Sequence, residues 1–142
     1  MSHNTISIDQ ISADQTWPLR QSVMWPNESL DYVKLPKDDL GIHFGLHLNE
    51  ELVSVISLFV EEGNAQFRKL ATASSVQGNG HGTALLTHAM NYLCALKVNR
   101  IWCNARRDKT SFYEKFEFIK TGHEFIKSGQ HYVIMERISS SQ

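Results

Sequence analysis

The sequence predicts a mixed α/β (α+β) fold from the spacing of its apolar residues. Apolar residues alternate with others over 42–48, which is the period of a half-buried strand. Around Leu85, Ala89 and Leu93 the period becomes helical. A glycine-rich segment, 77–83, lies where the period changes. The strand and helix patterns do not alternate strictly, which is typical of mixed folds rather than doubly wound ones.

The first part of the chain combines a strand, a helix and a long loop. Weak alternation predicts a strand at 3–8. A helix is predicted at 13–24, with Pro18 limiting its start. The loop from Asn27 to Asp39 is of a kind that often carries substrate contacts.

The middle of the chain has the pattern of an antiparallel meander. Its strands are predicted at 42–48, 52–60 and 65–73. Short turns at 49–50 and 61–64 join them.

The last part of the chain is predicted to add helices, one strand and a closing hairpin. Its elements are a helix whose apolar period runs to Leu96, a strand at 100–105, a helix at 110–116, and hairpin strands at 118–126 and 131–137 around a turn at 128–129.

Composition limits the possible classes of protein. The 142 residues are 42% hydrophobic and 20% charged, which suits one globular domain over 1–142. Fourteen Lys and Arg against 15 Asp and Glu argue against a dedicated nucleic-acid binder. The polar N-terminus predicts no signal peptide, and no apolar run is long enough to cross a membrane. Two cysteines give no disulfide framework, so we expect a cytoplasmic protein.

The glycine-rich segment has the composition of an anion-binding loop. It reads Gln77-Gly78-Asn79-Gly80-His81-Gly82-Thr83, and it follows a predicted strand and opens a predicted helix. The first N–H groups of a helix have no intrahelical partner and attract anions. Glycines allow close approach of the backbone to a phosphate. The alternative interpretation is a structural turn that binds nothing.

Two known phosphate-binding motifs do not fit this segment. A P-loop requires Lys and then Ser or Thr after its second glycine, and Thr83-Ala84 occupies that place. A dinucleotide fold requires the spacing G-x-G-x-x-G, and Gly82 comes one residue early. The antiparallel meander before the loop also argues against a doubly wound sheet.

Two motifs resemble those of the GNAT superfamily of acyl-CoA-dependent N-acetyltransferases. Gln77-Gly78-Asn79-Gly80-His81-Gly82 resembles the family signature Q/R-x-x-G-x-G/A. The segment 112–118, Phe-Tyr-Glu-Lys-Phe-Glu-Phe, is similar to the family segment F-Y-E-K-x-G-F, with Glu117 in place of glycine. The predicted order of elements is similar to the family fold over essentially the whole chain. The resemblance therefore implies a central, mostly antiparallel sheet with a splayed strand pair and flanking helices.

The resemblance also implies site residues and acetyl-CoA as cosubstrate, without a metal. The backbone over 77–83 would hold the CoA pyrophosphate. Tyr113 would protonate the leaving thiolate, a role that suits the pKa of about 10 of an ordinary tyrosine. The remaining residues implied to contact the pantetheine arm or acetyl group are Leu70, Ala71, Thr72, Asn104 and Phe112.

The resemblance leaves two points open. Glu117 takes a place where glycine allows a positive φ, so it has to adopt φ > 0 at some strain or the helix ends differently. No general base is evident, because Gln66 lies where some family members carry glutamate and cannot take a proton. Other candidates are Glu61, Glu62, His123, Glu124 and His131, and deprotonation through water is a further possibility.

The remaining histidines, cysteines, tryptophans and basic residues favour structural interpretations. His43 and His47 could form a metal pair, but no third ligand is evident. His88 is predicted to be exposed, and Cys103 to act as a small buried hydrophobe. Trp17, Trp25 and Trp102 are predicted to anchor the core or loops, and Arg106-Arg107 to be a solvated pair that could also attract the 3′-phosphate of CoA.

The sequence thus predicts direct acetyl transfer from acetyl-CoA to a small-molecule or peptide amine in a ternary complex. We expect the amine to enter beside the 27–39 loop and the closing hairpin. No nucleic acid or membrane is expected as a partner, and a homodimer is possible. Two alternatives are a non-catalytic acyl-CoA-binding module of the same fold and a small interaction protein.

Overall fold

The computed structural model describes residues 4–139. Residues 1–3, in the polar N-terminus, and residues 140–142 lie outside this range, so residue 3 of the predicted first strand is not covered. The α-helices are α1 Ala13–Leu19, α2 His81–Ala95 and α3 Thr110–Glu114. The strands are β1 Ile6–Ile11, β2 Ile42–Leu48, β3 Glu51–Glu61, β4 Asn64–Thr72, β5 Arg100–Arg106, β6 Ile119–Lys127 and β7 Gln130–Ile138.

The predicted helix at 13–24 is confirmed as a helical segment, but the effect expected of Pro18 is wrong. Pro18 lies inside α1, and the segment continues as a π-helical turn, Arg20–Met24. Proline has no N–H to donate to the carbonyl four residues earlier, so it perturbs the helix interior rather than its start. The loop after the π-helical turn contains two short 3₁₀ turns, Leu30–Val33 and Asp38–Leu40.

The seven strands form one sheet in the order β1-β2-β3-β4-β5-β7-β6. Every neighbouring pair is antiparallel except β4 and β5. The predicted meander, closing hairpin and mixed α/β fold are therefore confirmed. Most predicted strand ends differ from the observed ends by one residue; β1 begins and ends three residues later than predicted.

The parallel pair β4–β5 separates after a short contact. The two strands pair only at Asn64–Arg100, Ala65–Ile101 and Gln66–Trp102. β4 then runs on to Thr72 and β5 to Arg106 without pairing to each other, which leaves a gap in the sheet that we call the β4–β5 opening. A bulge in β4, with Lys69 at φ 59°, interrupts its register with β3.

The two faces of the sheet are covered by different elements. On the helix side, α2 buries Leu85, Leu86, Ala89 and Leu93 in a core that also contains Phe67 of β4. On the loop side, Arg20 of the π-helical turn contacts Ser57 of β3. Leu96, part of the predicted helical period, lies beyond α2 and is half-exposed.

No helix among residues 4–139 has the length and apolar character needed to cross a membrane.

Candidate active site

The glycine-rich segment leaves open space above its backbone. Gly78 and Gly80 have φ values of 84° and 83°, which side chains other than glycine rarely adopt. A Cβ added at either position would meet nothing within 4 Å. These glycines are therefore not required by packing within residues 4–139. They set the backbone conformation and leave room for a ligand.

The segment leads directly into the start of α2, which has no side-chain cap. Gly80 is the N-cap residue. The Ala84 N–H donates to the Gly80 carbonyl at 3.0 Å, so the N–H groups of His81, Gly82 and Thr83 precede the first intrahelical bond. These three donors and the positive end of the helix dipole have the geometry that favours an anion.

Two side chains fix the glycine-rich segment, one to the end of β4 and one to the turn that follows β4. Gln77 Nε2 donates to the Thr72 carbonyl at 2.9 Å, and Asn79 Nδ2 donates to the Val76 carbonyl at 3.0 Å. His81 is buried, with 8% of its surface exposed. Its backbone N–H is therefore better placed for an incoming anion than its imidazole.

The end of β4 borders the β4–β5 opening. Leu70 packs against the helix-side core, and Ala71 is buried. Thr72 Oγ1 lies 2.8 Å from Ser54 Oγ and close to Gly82. Because β5 does not pair with this stretch, the edge of β4 that faces β5 is left without strand partners in the opening.

Tyr113 lies on the helix side, beside the same opening. Its ring centroid is 5.5 Å from that of Phe67 and 5.2 Å from that of Phe112. Burial raises the pKa of Tyr113 well above its ordinary value, the nearby Cys103 thiol adds to this effect, and Arg106 opposes it. The phenol is therefore protonated at neutral pH and able to act as an acid.

Asn104, the predicted site residue on β5, projects from the other face of the sheet. Cys103 and Ala105 are buried in the helix-side core, whereas Asn104 between them is exposed on the loop side. The structure thus places Asn104 and Tyr113 on opposite faces, and the cofactor role of Asn104 stays a prediction. Burial raises the pKa of Cys103 to about 12, as expected for a small buried hydrophobe.

A cavity of about 460 Å³ lies on the loop side and includes part of the predicted substrate loop. Its lining residues are Leu35, Pro36, Lys37, Phe59, Glu61, Glu62, Asn64, Gln66, Arg68 and Trp102. We call it the loop-side cavity. It brings together three of the positions considered for the general base, Glu61, Glu62 and Gln66. The others lie on β6 and β7, where His131 Nε2 is 2.7 Å from Glu124 Oε1.

A buried ion pair that sequence reasoning missed holds the predicted substrate loop against the sheet. Arg20 is fully buried, and its two terminal nitrogens each donate to an oxygen of Asp38 at 2.9 Å. The guanidinium also donates to Ser57 Oγ at 2.8 Å and to the Val33 carbonyl at 3.0 Å. These partners are 13 to 37 residues from Arg20 in the chain, so no local pattern predicts them.

Asp38 is held ionised by this environment. Burial opposes its ionisation, but hydrogen bonds from Arg20, the Leu35 N–H and Trp17 outweigh burial and lower the pKa. Trp17 Nε1 donates to Asp38 Oδ2 at 3.0 Å, which agrees with the predicted anchoring role of this tryptophan.

Of the two histidines considered as a metal pair, His43 has other contacts, and His47 Nδ1 lies 3.5 Å from Asp9 Oδ2. His43 Nδ1 lies 2.7 Å from Ser57 Oγ and Nε2 lies 2.9 Å from the Asp38 carbonyl, so both ring nitrogens are engaged. His88, predicted to be exposed, is half-buried, with its ring centroid 4.8 Å from that of Phe44. Within the described part of the chain, no three His, Cys, Asp or Glu residues group as metal ligands would.

Comparison with known proteins agrees with this geometry. The sequence profile described as acetyltransferase (GNAT) domain matches residues 39–139, most of the chain. The chain belongs to the GNAT acetyltransferase family. This match includes both motifs that carry the resemblance, the 77–82 signature and the 112–118 segment.

Relatives and solved structures extend the match beyond the profile. An uncharacterized N-acetyltransferase of Bacillus subtilis (strain 168), YitI, is 25% identical, over 96% of this chain and 99% of its own. A putative N-acetyltransferase from Lactobacillus plantarum superposes with a TM-score of 0.81 at 22% identity, covering 96% and 99% of the two chains. A GNAT family acetyltransferase from Elizabethkingia anophelis, solved with acetyl-CoA bound, gives 0.75 at 14% identity, covering 94% and 98%.

Glu117, which departs from the second family motif in this GNAT chain, lies in the cap that ends α3. Glu117 adopts φ 70° and its N–H donates to the Glu114 carbonyl at 3.0 Å. The Phe118 N–H donates to the Tyr113 carbonyl at 3.3 Å. These two bonds are those of a Schellman cap, so glutamate fills the left-handed position that usually favours glycine. The expected positive φ is confirmed, and the helix end keeps its form.

Proposed function

We propose that this protein transfers an acetyl group from acetyl-CoA to an amine, with both substrates bound at the β4–β5 opening. The observation that carries the proposal is the arrangement around this opening. The uncapped start of α2 and Tyr113 lie on its helix side, and the loop-side cavity borders the point where the opening begins, at Gln66, Arg68 and Trp102. Two substrates can thus approach one point from opposite faces of the sheet.

The helix side fits the CoA moiety. The backbone of Gln77, Gly78, Asn79, Gly80, His81, Gly82 and Thr83 would hold the pyrophosphate, because the α2 donors are free and the two positive-φ glycines leave open space. The edge of β4 over Leu70–Thr72 would hold the pantetheine arm. The E. anophelis structure with acetyl-CoA bound, and solved acetyltransferases of the same fold in complex with CoA, support acetyl-CoA as the ligand.

Transfer requires one bond to form and one to break. The neutral amine attacks the thioester carbonyl carbon, the new C–N bond forms, and the C–S bond breaks. The thiolate of CoA takes the Tyr113 proton, and the amine loses its proton to water. A backbone N–H of β4 at the opening would stabilise the oxyanion, and fixed positions for both substrates would supply much of the rate.

A direct transfer needs no acyl-enzyme. Cys103 is buried on the helix side and its pKa is raised to about 12, so it is a poor nucleophile. Cys94 is exposed on α2 and is not part of the buried helix-side core. Both features support a ternary complex.

Calorimetric titration tests the proposal. Purified protein is titrated with acetyl-CoA and CoA, beside dephospho-CoA and NAD. We expect acetyl-CoA and CoA to bind and NAD to give no heat. Binding would then be followed by a screen of amines for release of free CoA thiol. Absence of binding to acetyl-CoA and CoA would contradict the proposal and leave the glycine-rich segment as a structural turn.

A further inference from the structure

Two neighbouring cations on β4, the first of which lines the loop-side cavity, form no ion pair with a carboxylate among residues 4–139. Arg68 lines the cavity and is half-buried, and Lys69 follows it at the β4 bulge and is also half-buried. Among residues 4–139, no Asp or Glu oxygen lies within 4.0 Å of the guanidinium nitrogens of Arg68 or of Lys69 Nζ. Two partly desolvated positive charges therefore have no carboxylate in direct contact within the described residues.

The nearby carboxylates are occupied by other groups. Asp38 Oδ1 and Oδ2 accept hydrogen bonds from Arg20, and Oδ2 also accepts from Trp17 and the Leu35 N–H. Glu61 at the cavity lies 3.8 Å from Lys37. Glu62 lies in the exposed β3–β4 turn. Among residues 4–139, none of these carboxylates forms an ion pair with Arg68 or Lys69, and the charge of Asp38 only partly offsets the lowering of their pKa values.

Other positive groups increase the excess of positive charge around Arg68 and Lys69. Burial lowers the pKa of Lys69 to about 8, and repulsion from Arg68, Arg20 and Lys127 adds to this, with Asp38 opposing it. The pKa of Arg68 is also lowered, first by burial and then by Arg20. A bound anion would relieve this repulsion.

The phosphates of CoA are badly placed to be this anion. Phe67 packs in the helix-side core, so Arg68, the next residue on β4, projects to the loop side. The glycine-rich segment continues from the far end of β4, where four strand residues beyond Arg68 add about 13 Å. The counter-ion must therefore come from the loop side, where the amine enters.

We propose that the acceptor amine carries a carboxylate, as an amino acid does, and that Arg68 and Lys69 bind this carboxylate. This inference rests on the proposed function. A guanidinium suits the planar carboxylate through paired hydrogen bonds. The side chain of the amino acid would lie against the apolar walls of the cavity, Leu35, Pro36, Phe59 and Trp102.

The test compares amino acids with amino alcohols, in which a hydroxymethyl group replaces the carboxylate. A panel of pairs with apolar and aromatic side chains is incubated with acetyl-CoA, and release of free CoA thiol is measured. We expect kcat/KM for at least one amino acid to exceed that of its matching alcohol by roughly 10- to 100-fold, the range of a charge-assisted hydrogen bond. An aminophosphonate of similar size should be a poorer acceptor.

Variants connect the preference to the two cations. Arg68→Gln should raise KM for the amino acid by roughly 10- to 100-fold, and should change KM for the matching alcohol much less. Arg68→Lys should restore part of the affinity. Lys120→Gln, which removes an exposed cation on β6, is the matched control and should change neither constant. Affinity for acetyl-CoA reports that each variant is folded.

The outcomes separate this inference from the proposed function. Transfer to amino alcohols, polyamines or aminoglycosides at rates equal to or above those for amino acids would overturn the carboxylate inference and leave acetyl transfer intact. Equal use of the aminophosphonate would overturn it as well. Binding of acetyl-CoA without transfer to any amine in the screen would overturn both.

Discussion

The two sides of the β4–β5 opening are built from different parts of the chain. On the helix side, the anion site consists of backbone N–H groups at the start of α2 and of two positive-φ glycines. On the loop side, the cavity is shaped by side chains from separate segments, and the buried Arg20–Asp38 pair holds its loop.

This difference indicates that the two sides have different functions. A site of backbone groups depends on the path of the chain and tolerates many side chains, so it suits a ligand common to a whole family. A site of side chains changes with each substitution, so it suits selection of an acceptor. We therefore expect substitutions on the helix side to change the affinity for acetyl-CoA. Substitutions on the loop side should change the stability of the protein and its selectivity for the acceptor amine.

Tyr113 is the exception on the helix side, because its proposed role needs a side chain. Tyr113→Phe removes the hydroxyl and should lower kcat by roughly 10²- to 10⁴-fold, the range of general acid catalysis. Affinity for acetyl-CoA in calorimetry should stay the same. Tyr92→Phe removes a hydroxyl elsewhere on this side and is the matched control. Unchanged turnover in Tyr113→Phe would show that water protonates the thiolate.

The largest stability effect is expected on the loop side. Asp38→Ala leaves the fully buried Arg20 without its carboxylate and should destabilise the protein by about 3–5 kcal/mol. Urea unfolding followed by circular dichroism measures this. The control, Asp31→Ala, removes an exposed carboxylate that pairs with Lys34 and should leave the midpoint unchanged. Equal midpoints for both variants would refute a structural role for the pair.

The same pair predicts the pH dependence of stability. The pKa of Asp38 is lowered in the folded protein from its ordinary value of 3.8. The contribution is therefore fully present above pH 3.8 and is lost as the pH falls through the lower folded pKa. Asp38→Asn should make the free energy of unfolding depend less on pH between pH 5 and about pH 2 than it does in the unsubstituted protein. Parallel curves for the two proteins would contradict this assignment.

A glycine substitution separates backbone strain from ligand binding. Gly80→Ala and Gly129→Ala both place a Cβ at positive φ in open space, and each should destabilise by about 1–2 kcal/mol. Gly80→Ala should also weaken acetyl-CoA binding roughly tenfold, because its Cβ occupies the space above the anion site. Gly129, in the β6–β7 turn, should leave binding unchanged. Equal affinities for the two variants would place the pyrophosphate elsewhere.

The smallest effect is expected at the end of α3. Glu117→Gly restores the residue that the left-handed cap position favours and should stabilise by up to about 1 kcal/mol, with some loss from the freer unfolded chain. Thermal unfolding measures the change. Lys97, at φ 60°, closes α2 with the same pair of cap hydrogen bonds, so Lys97→Gly should give a similar gain. Destabilisation in both variants would show that these side chains are held by other contacts.

The helix side was open to sequence reasoning because its determinants are local. The spacing of Gly78, Gly80 and Gly82 specifies turn conformations and a helix start within seven residues. The meander and the closing hairpin were also predicted, because alternation and turn residues act over a few positions. Local spacing likewise placed Tyr113 one helix before the closing hairpin.

The loop side depended on the tertiary structure. Arg20, Asp38 and Ser57 come from a helical turn, a loop and a strand, and only folding brings them within hydrogen-bonding distance. The face on which Asn104 projects, and the absence of a carboxylate beside Arg68 among residues 4–139, also follow from strand pairing and packing. The sequence by itself determined the elements and the position of the proposed anion site because backbone propensities are short-range. The tertiary structure decided the form of the proposed acceptor side, because a charge is neutralised by whichever group lies near it in space.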